Sequence, residues 1–161
     1  EVKKALAGAL WGSEKDADED VRFEAAEALA EIGVNDHEVK KALIGALWGL
    51  ERDEDKYVRF AAAKAVAKIG VNGNEVKKAL SGALWGLEKD EDEDVRRKAG
   101  QTLAKIGGGD HEVKKALIGA LWGSEKDEDE DIRGAAAEAL GKIGDGDHEA
   151  KWRLSAPCGA R

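Results

Sequence analysis

EVKKALAGALWG at residues 1–12 returns as EVKKALIGALWG at 38–49, EVKKALSGALWG at 75–86 and EVKKALIGALWG at 112–123, with one variable position and a fixed spacing of 37 residues. A block of this length recurring at such a period marks a stacked solenoid, in which each unit buries its apolar face against the next. The chain divides accordingly into copies 1–37, 38–74, 75–111 and 112–148 with a remnant at 149–161, and reads as one solenoid domain.

Each copy carries two helical stripes. In the first copy Val2, Leu6, Ala9 and Ser13 recur at steps of three and four, flanked by Ala5 and Leu10, which is the pattern of an amphipathic helix. Because Leu50 and Leu87 stand where the outer copies have Ser13 and Ser124, the helix is expected to reach at least Ser13, with those leucines buried in mid-stack. An acidic link, Asp16-Ala17-Asp18-Glu19-Asp20, precedes a second stripe of Val21, Ala25, Ala28, Leu29 and Ile32. Asp18 is placed to cap a second helix beginning near Glu19, with Glu19 and Asp20 at the positive end of its dipole. Gly33, Gly70, Gly107 and Gly144 each follow an Ile and suit a left-handed helix end, and Asp36 then caps the next first helix. Two helices of about 14 to 16 residues per copy leave connections of ordinary length, so the class is all-α.

Composition agrees. Of 161 residues 42% are hydrophobic, enough for a core, but 37% are charged, with one Pro, no Met and two Phe. That mixture suits a thin stack better than a globule with a single core. A net charge of -8 disfavours nucleic acid and anionic lipid as partners and points to basic or mixed-charge protein surfaces. Cys158 is alone and forms no intramolecular disulfide. No apolar run approaches the roughly 20 residues that span a bilayer, and no signal peptide precedes Glu1, so a soluble, cytoplasmic protein is expected.

The string Ile132-Arg133-Gly134-Ala135-Ala136-Ala137-Glu138-Ala139-Leu140-Gly141-Lys142-Ile143-Gly144-Asp145, preceded by an acidic run, resembles the HEAT-like repeat of the phycobilisome-lyase type. The match covers the second helix and its caps in all four copies, although repeats of that type are about 31 residues long. The resemblance implies a right-handed superhelix whose second helices line the concave side. It also implies a binding scaffold rather than lyase chemistry, because fold does not determine function. An accessory subunit of a bilin lyase-like enzyme is what the analogy alone would add.

Comparing the copies with one another locates the expected binding face. First helices are nearly invariant, whereas second helices vary at Phe23, Phe60, Arg97 and Gly134, at Glu27, Lys64, Gln101 and Glu138, and at Asp20, Tyr57, Asp94 and Asp131. Glu24, Ala61, Lys98 and Ala135 vary as well. At about 100° per residue these positions fall opposite the Val21, Ala25, Ile32 stripe, so Phe23 and Phe60 are expected to face solvent as anchors for a protein partner. Free drift of exposed sites would produce the same variation. Trp11, Trp48, Trp85 and Trp122 face the other way on a straight helix. Either each folds over its own copy's glycine groove, at Gly8 and its counterparts, and packs on a neighbouring turn, or they form a ladder with Lys3 and Lys4 that stacks on a ligand, nucleic acid or a partner helix.

Arg22, Arg59, Arg96 and Arg133 recur with upstream aspartates, which reads as a ladder of Arg–Asp contacts between copies. Asp16, Asp18 and Asp20 alternate as in a calcium loop, but Val21 stands where such loops need Gly. His37, His111 and His148 lie a repeat apart, too far to share a metal easily, and no catalytic set or cofactor motif stands out. At the ends, Glu1 opens without a capping Asp, and Pro157 cuts short a partial lid at Ala150 to Leu154 ahead of a disordered tail. Two apolar ends then favour weak head-to-tail self-association.

Overall fold

A computed structural model describes residues 1–32, 36–70, 72–106 and 109–143. Among them are eight helices: α1 (Val2–Leu10), α2 (Glu19–Ile32), α3 (His37–Leu47), α4 (Lys56–Ile69), α5 (Asn74–Leu84), α6 (Glu93–Ile106), α7 (His111–Leu121) and α8 (Glu130–Ile143). Odd helices stack on odd helices and even on even, and each odd helix packs on the even helix that follows it. The result is a two-layer α-solenoid. Its core runs along the seam, from Leu10 and Leu29 through Leu43, Leu47, Val58 and Val66 to Leu80, Leu103, Leu117 and Leu140.

The first helices are shorter than expected, 9 to 11 residues against 14 for the second. They end at Leu10, Leu47, Leu84 and Leu121, and do not reach Ser13 or its counterparts. The cause is the dipeptide that follows. Trp11 takes an extended conformation at φ -152°, and the next glycine sits at φ +102° to +107° in every copy, where a side chain would be strained. The chain therefore turns outward, and Leu50 and Leu87, expected in the interior, are fully exposed. The connection closes neatly on itself: the Asp16 amide donates to Ala9 O at 2.9 Å, and Asp53, Asp90 and Asp127 repeat the bond to Ala46, Ala83 and Ala120. These bonds occupy last-turn carbonyls that a continuing helix would have used.

The aspartates are committed to backbone amides. Asp55 Oδ1 accepts from the Tyr57 and Val58 amides at 2.8 and 3.1 Å, and Asp18, Asp92 and Asp129 hold the starts of α2, α6 and α8 in the same way. Asp36 caps α3 by accepting from the Val39 amide at 2.9 Å, while Gly73 leaves α5 without a side-chain cap. Gly70 is left-handed, at φ +67°, and ends α4 as expected. Gly33, Gly107, Gly144, the lid at Ala150 to Leu154 and the tail beyond it lie outside the described residues.

Two devices lock each copy to the next. In the even layer, buried Arg22 donates from Nε and Nη2 to both carboxylate oxygens of Asp53, at 2.7 and 3.0 Å, and from Nη1 to the Asp16 and Ala17 carbonyls. Arg59 meets Asp90 and Arg96 meets Asp127 identically. All of these donors are satisfied, as a buried guanidinium requires. The hydrogen bond and charge of Asp53 raise the Arg22 pKa above its ordinary value, although burial opposes this.

In the odd layer, the rings of Trp11, Trp48 and Trp85 lie over the glycine of the following copy rather than over Gly8 or its counterpart in their own. A Cβ built on Gly45 would come within 2.2 Å of the Trp11 ring, and Trp48 and Trp85 cover Gly82 and Gly119 equally closely. Trp11 Nε1 donates to Glu51 O at 3.3 Å, in the lengthened turn of the neighbour.

Some stripe positions behave otherwise than expected. Val21 and Ile32 are 43% and 40% exposed, whereas Val58, Val95 and Ile132, at the Val21 position, are buried by the preceding even helix. Ala61 is fully buried and Lys98 and Ala135 are half-buried, so from the second copy on this position faces the preceding even helix, whereas Glu24, with no such neighbour, is exposed.

Candidate functional site

The outer face of the even layer gathers the residues singled out from repeat variation. Tyr57 is exposed; Phe23 and Phe60, expected to be solvent-facing, are half-buried and rest against the core. Tyr57, Phe60, Asp94 and Arg97 line one hollow of about 230 Å³ between α4 and α6, with Lys56 and Asp92 at its edge. Arg97 pairs with Asp94 in its own helix and lies 3.9 Å from Asp131 of α8. Lys64 reaches across to Glu27 of α2 at 3.0 Å, tying two more of the expected residues. Glu138 pairs along α8 with Lys142, and Gln101 is exposed on α6. Asp20 is not part of this cluster and lies instead on the open side of α2, beside Leu6 and Val21.

Lys98, read from its variation as a solvent-facing position, lies between helices instead and is half-buried. It occupies the inter-helix position held by Ala61 in the previous copy, and its ammonium sits 5.6 Å from the Phe60 ring centroid. Burial pushes its pKa down, and Lys105, Lys64 and Arg97 add to the effect. The signal was present in the sequence as a lysine standing where a sibling copy has alanine. With Lys64 and Lys68 on α4 and Arg97, Lys98 and Lys105 on α6, the middle of the face is cationic, while Glu24, Glu27 and Glu31 make α2 acidic. An acidic chain therefore carries a local cluster of positive charge on this face.

The opposite layer presents the tryptophan edges and the paired lysines of the first helices. Trp11, Trp48, Trp85 and Trp122 are each half-buried, and Lys41 stands 5.8 Å over the Trp11 ring. Among the described residues no group of three or more His, Cys, Asp or Glu side chains is placed to hold a metal.

A two-layer stack of helix pairs, locked by buried Arg–Asp bonds and carrying most of its variation on one layer, defines an α-solenoid. The model of HEAT repeats matches residues 6–86 and again residues 80–156, and the chain belongs to that family. No curated protein shows significant similarity to it.

Proposed function

We propose that the chain is a non-catalytic scaffold that binds a protein partner through the concave face formed by the second helices, α2, α4, α6 and α8. The observation that carries this is the hollow of Tyr57, Phe60, Asp94 and Arg97, on a face that also carries Lys98 and Lys105 and the ion-paired Lys64 and Lys68. An aromatic pair beside a guanidinium is the composition of an interaction hot spot. The surrounding cations favour a partner segment with acidic residues, engaged at the centre of the stack and repelled by the acidic surface of α2. That HEAT repeats commonly mediate protein interactions supports the reading. Within the family we place the chain nearest the phycobilisome-lyase type on its even-helix strings, without lyase chemistry. We also place it in the cytoplasm; among the described residues no helix is long and apolar enough to cross a membrane.

The test is affinity capture with the intact chain and two variants. Tyr57→Ala combined with Arg97→Glu changes only exposed or half-exposed groups and is expected to abolish capture of the partner. Lys4→Gln, on the opposite layer, is expected to leave it intact. Retention by the first variant, or loss with the second, would place recognition on the odd helices.

A further inference from the structure

The odd helices are near-copies, but the grooves between them are not equally filled. The residue before the covered glycine is Ile44 in α3 and Ile118 in α7, and both isoleucines pack half-buried against the core. In α5 that residue is Ser81. Beside it, between α5 and α7, lies a groove of about 610 Å³, against about 300 Å³ for the hollow that Ile118 lines. Its volume falls within the range of small-molecule sites, and two indole rings, Trp48 and Trp85, line it.

The polar groups of the groove have unmet capacity. Ser81 is 9% exposed, and its Oγ has no hydrogen-bond partner among the described residues. The same holds for Nε1 of Trp48, although Trp11 and Trp85 donate theirs to Glu51 O and Glu125 O. At the rim, Lys77 is held by Asp110 at 3.4 Å. Lys78 and Lys115 also line the groove, and among the described residues neither forms an ion pair. Two free ammonium groups therefore face one unpaired carboxylate, Glu112, which leaves the rim cationic. The apolar edge is extended as well: the fully exposed Leu50 and Leu87 follow Trp48 and Trp85 by two residues each, where the outer copies have Ser13 and Ser124. Ser81 and the unbonded Trp48 Nε1 thus belong to one groove, with the two leucines two residues beyond its tryptophans.

Flat aromatic walls, a floor with hydroxyl and indole donors and a cationic rim select one kind of occupant. We propose that the groove between α5 and α7 binds a planar aromatic anion, stacked on Trp85 with its charge held by Lys78 and Lys115, and that Ser81 is the residue that opens the site. This site is on the opposite layer from the protein-binding face and does not depend on it.

The experiment is calorimetric titration of the full chain with 2-naphthalenesulfonate, with neutral 2-naphthol as the second probe. Saturable binding of both is expected. Ser81→Ile installs the residue that α3 and α7 already carry, so the thermal midpoint is expected to hold or rise while affinity for both probes falls by about tenfold or more, as filling a pocket does. Lys78→Gln with Lys115→Gln is expected to weaken the sulfonate by about fivefold at low salt and to leave the naphthol within about twofold. Absence of saturable binding, wild-type affinity in Ser81→Ile, or wild-type sulfonate affinity in the lysine variant would each overturn the assignment.

Discussion

The first and second copies open with the same six residues, EVKKAL at 1–6 and at 38–43, yet Val2 is 67% exposed and Val39 is wholly buried. The second helices repeat the contrast, with Val21 at 43% and Val58 at zero. Both copies form the same pair of helices, so local propensity does not separate them. What differs is a neighbour on the amino-terminal side. Burial here belongs to the interface between copies, and so does most of the stabilisation, as nearest-neighbour energetics of a linear stack require. A substitution should therefore cost according to where in the stack it falls, even when the sequence around it is unchanged.

The largest contrast lies in the arginine ladder. Removing Asp90 leaves Arg59 Nε without an acceptor and Nη2 with Glu91 alone, at a site that is 1% exposed, and strips the Asp92 amide of its acceptor. Asp90→Ala is expected to cost about 3 to 5 kcal/mol, the range for breaking a buried ion pair from one side. Arg133, in the last described copy, is held through Nη1 by the Asp127 and Glu128 carbonyls, and Arg133→Ala should cost about 1 kcal/mol. Urea denaturation of both variants decides it, and equal losses would show that the ladder is not what couples the copies.

A smaller contrast compares identical leucines. Leu43 is completely buried and Leu6 is half-buried. Leu43→Ala is expected to lose about 2 to 5 kcal/mol and Leu6→Ala roughly 1 to 2, because the latter gives up less area and leaves no closed cavity. The same denaturation experiment reads both, and a loss at Leu6 matching that at Leu43 would break the nearest-neighbour account.

The repeat period made the architecture legible, because a 37-residue unit with two apolar stripes has few ways to bury them. Aspartate caps and the arginine ladder were legible for the same reason: each recurs beside its partner at a fixed offset. Helix ends were not. The apolar pattern runs on through Trp11 to the Ser13 position, and nothing in periodicity alone says that Trp-Gly breaks the helix and turns Leu50 and Leu87 outward. The candidate face was drawn from variation, but variation does not distinguish a solvent position from one between neighbouring helices, which is why Ala61 and Lys98 were misplaced. Ser81 stood in plain view as the single variable letter of the repeated block. Its consequence depends on a tryptophan from the preceding copy, and that contact is set by the stacking geometry.

The smallest contrast is also the most specific, since it changes sign. Gly8 and Gly45 occupy the same position in α1 and α3. Alanine is favoured over glycine in a helix interior by up to about 1 kcal/mol, and at Gly8 nothing opposes this, the nearest atom to an added Cβ being Glu14 Oε2 at 3.9 Å. Gly8→Ala should therefore stabilise, raising the thermal midpoint by about 2 to 4 °C for a chain of this size. At Gly45 the same methyl would sit 2.2 Å from the Trp11 ring, within the indole itself. The ring must leave its seat and give up its bond to Glu51 O, so Gly45→Ala is expected to destabilise by about 1 to 3 kcal/mol despite its helix propensity. A double-mutant cycle isolates the cause. In a Trp11→Ala background the obstruction is gone, and Gly45→Ala should turn neutral or stabilising, as at Gly8. If it still destabilises there, the glycine is retained for a reason other than the tryptophan, and the odd-layer lock between copies does not work through this contact.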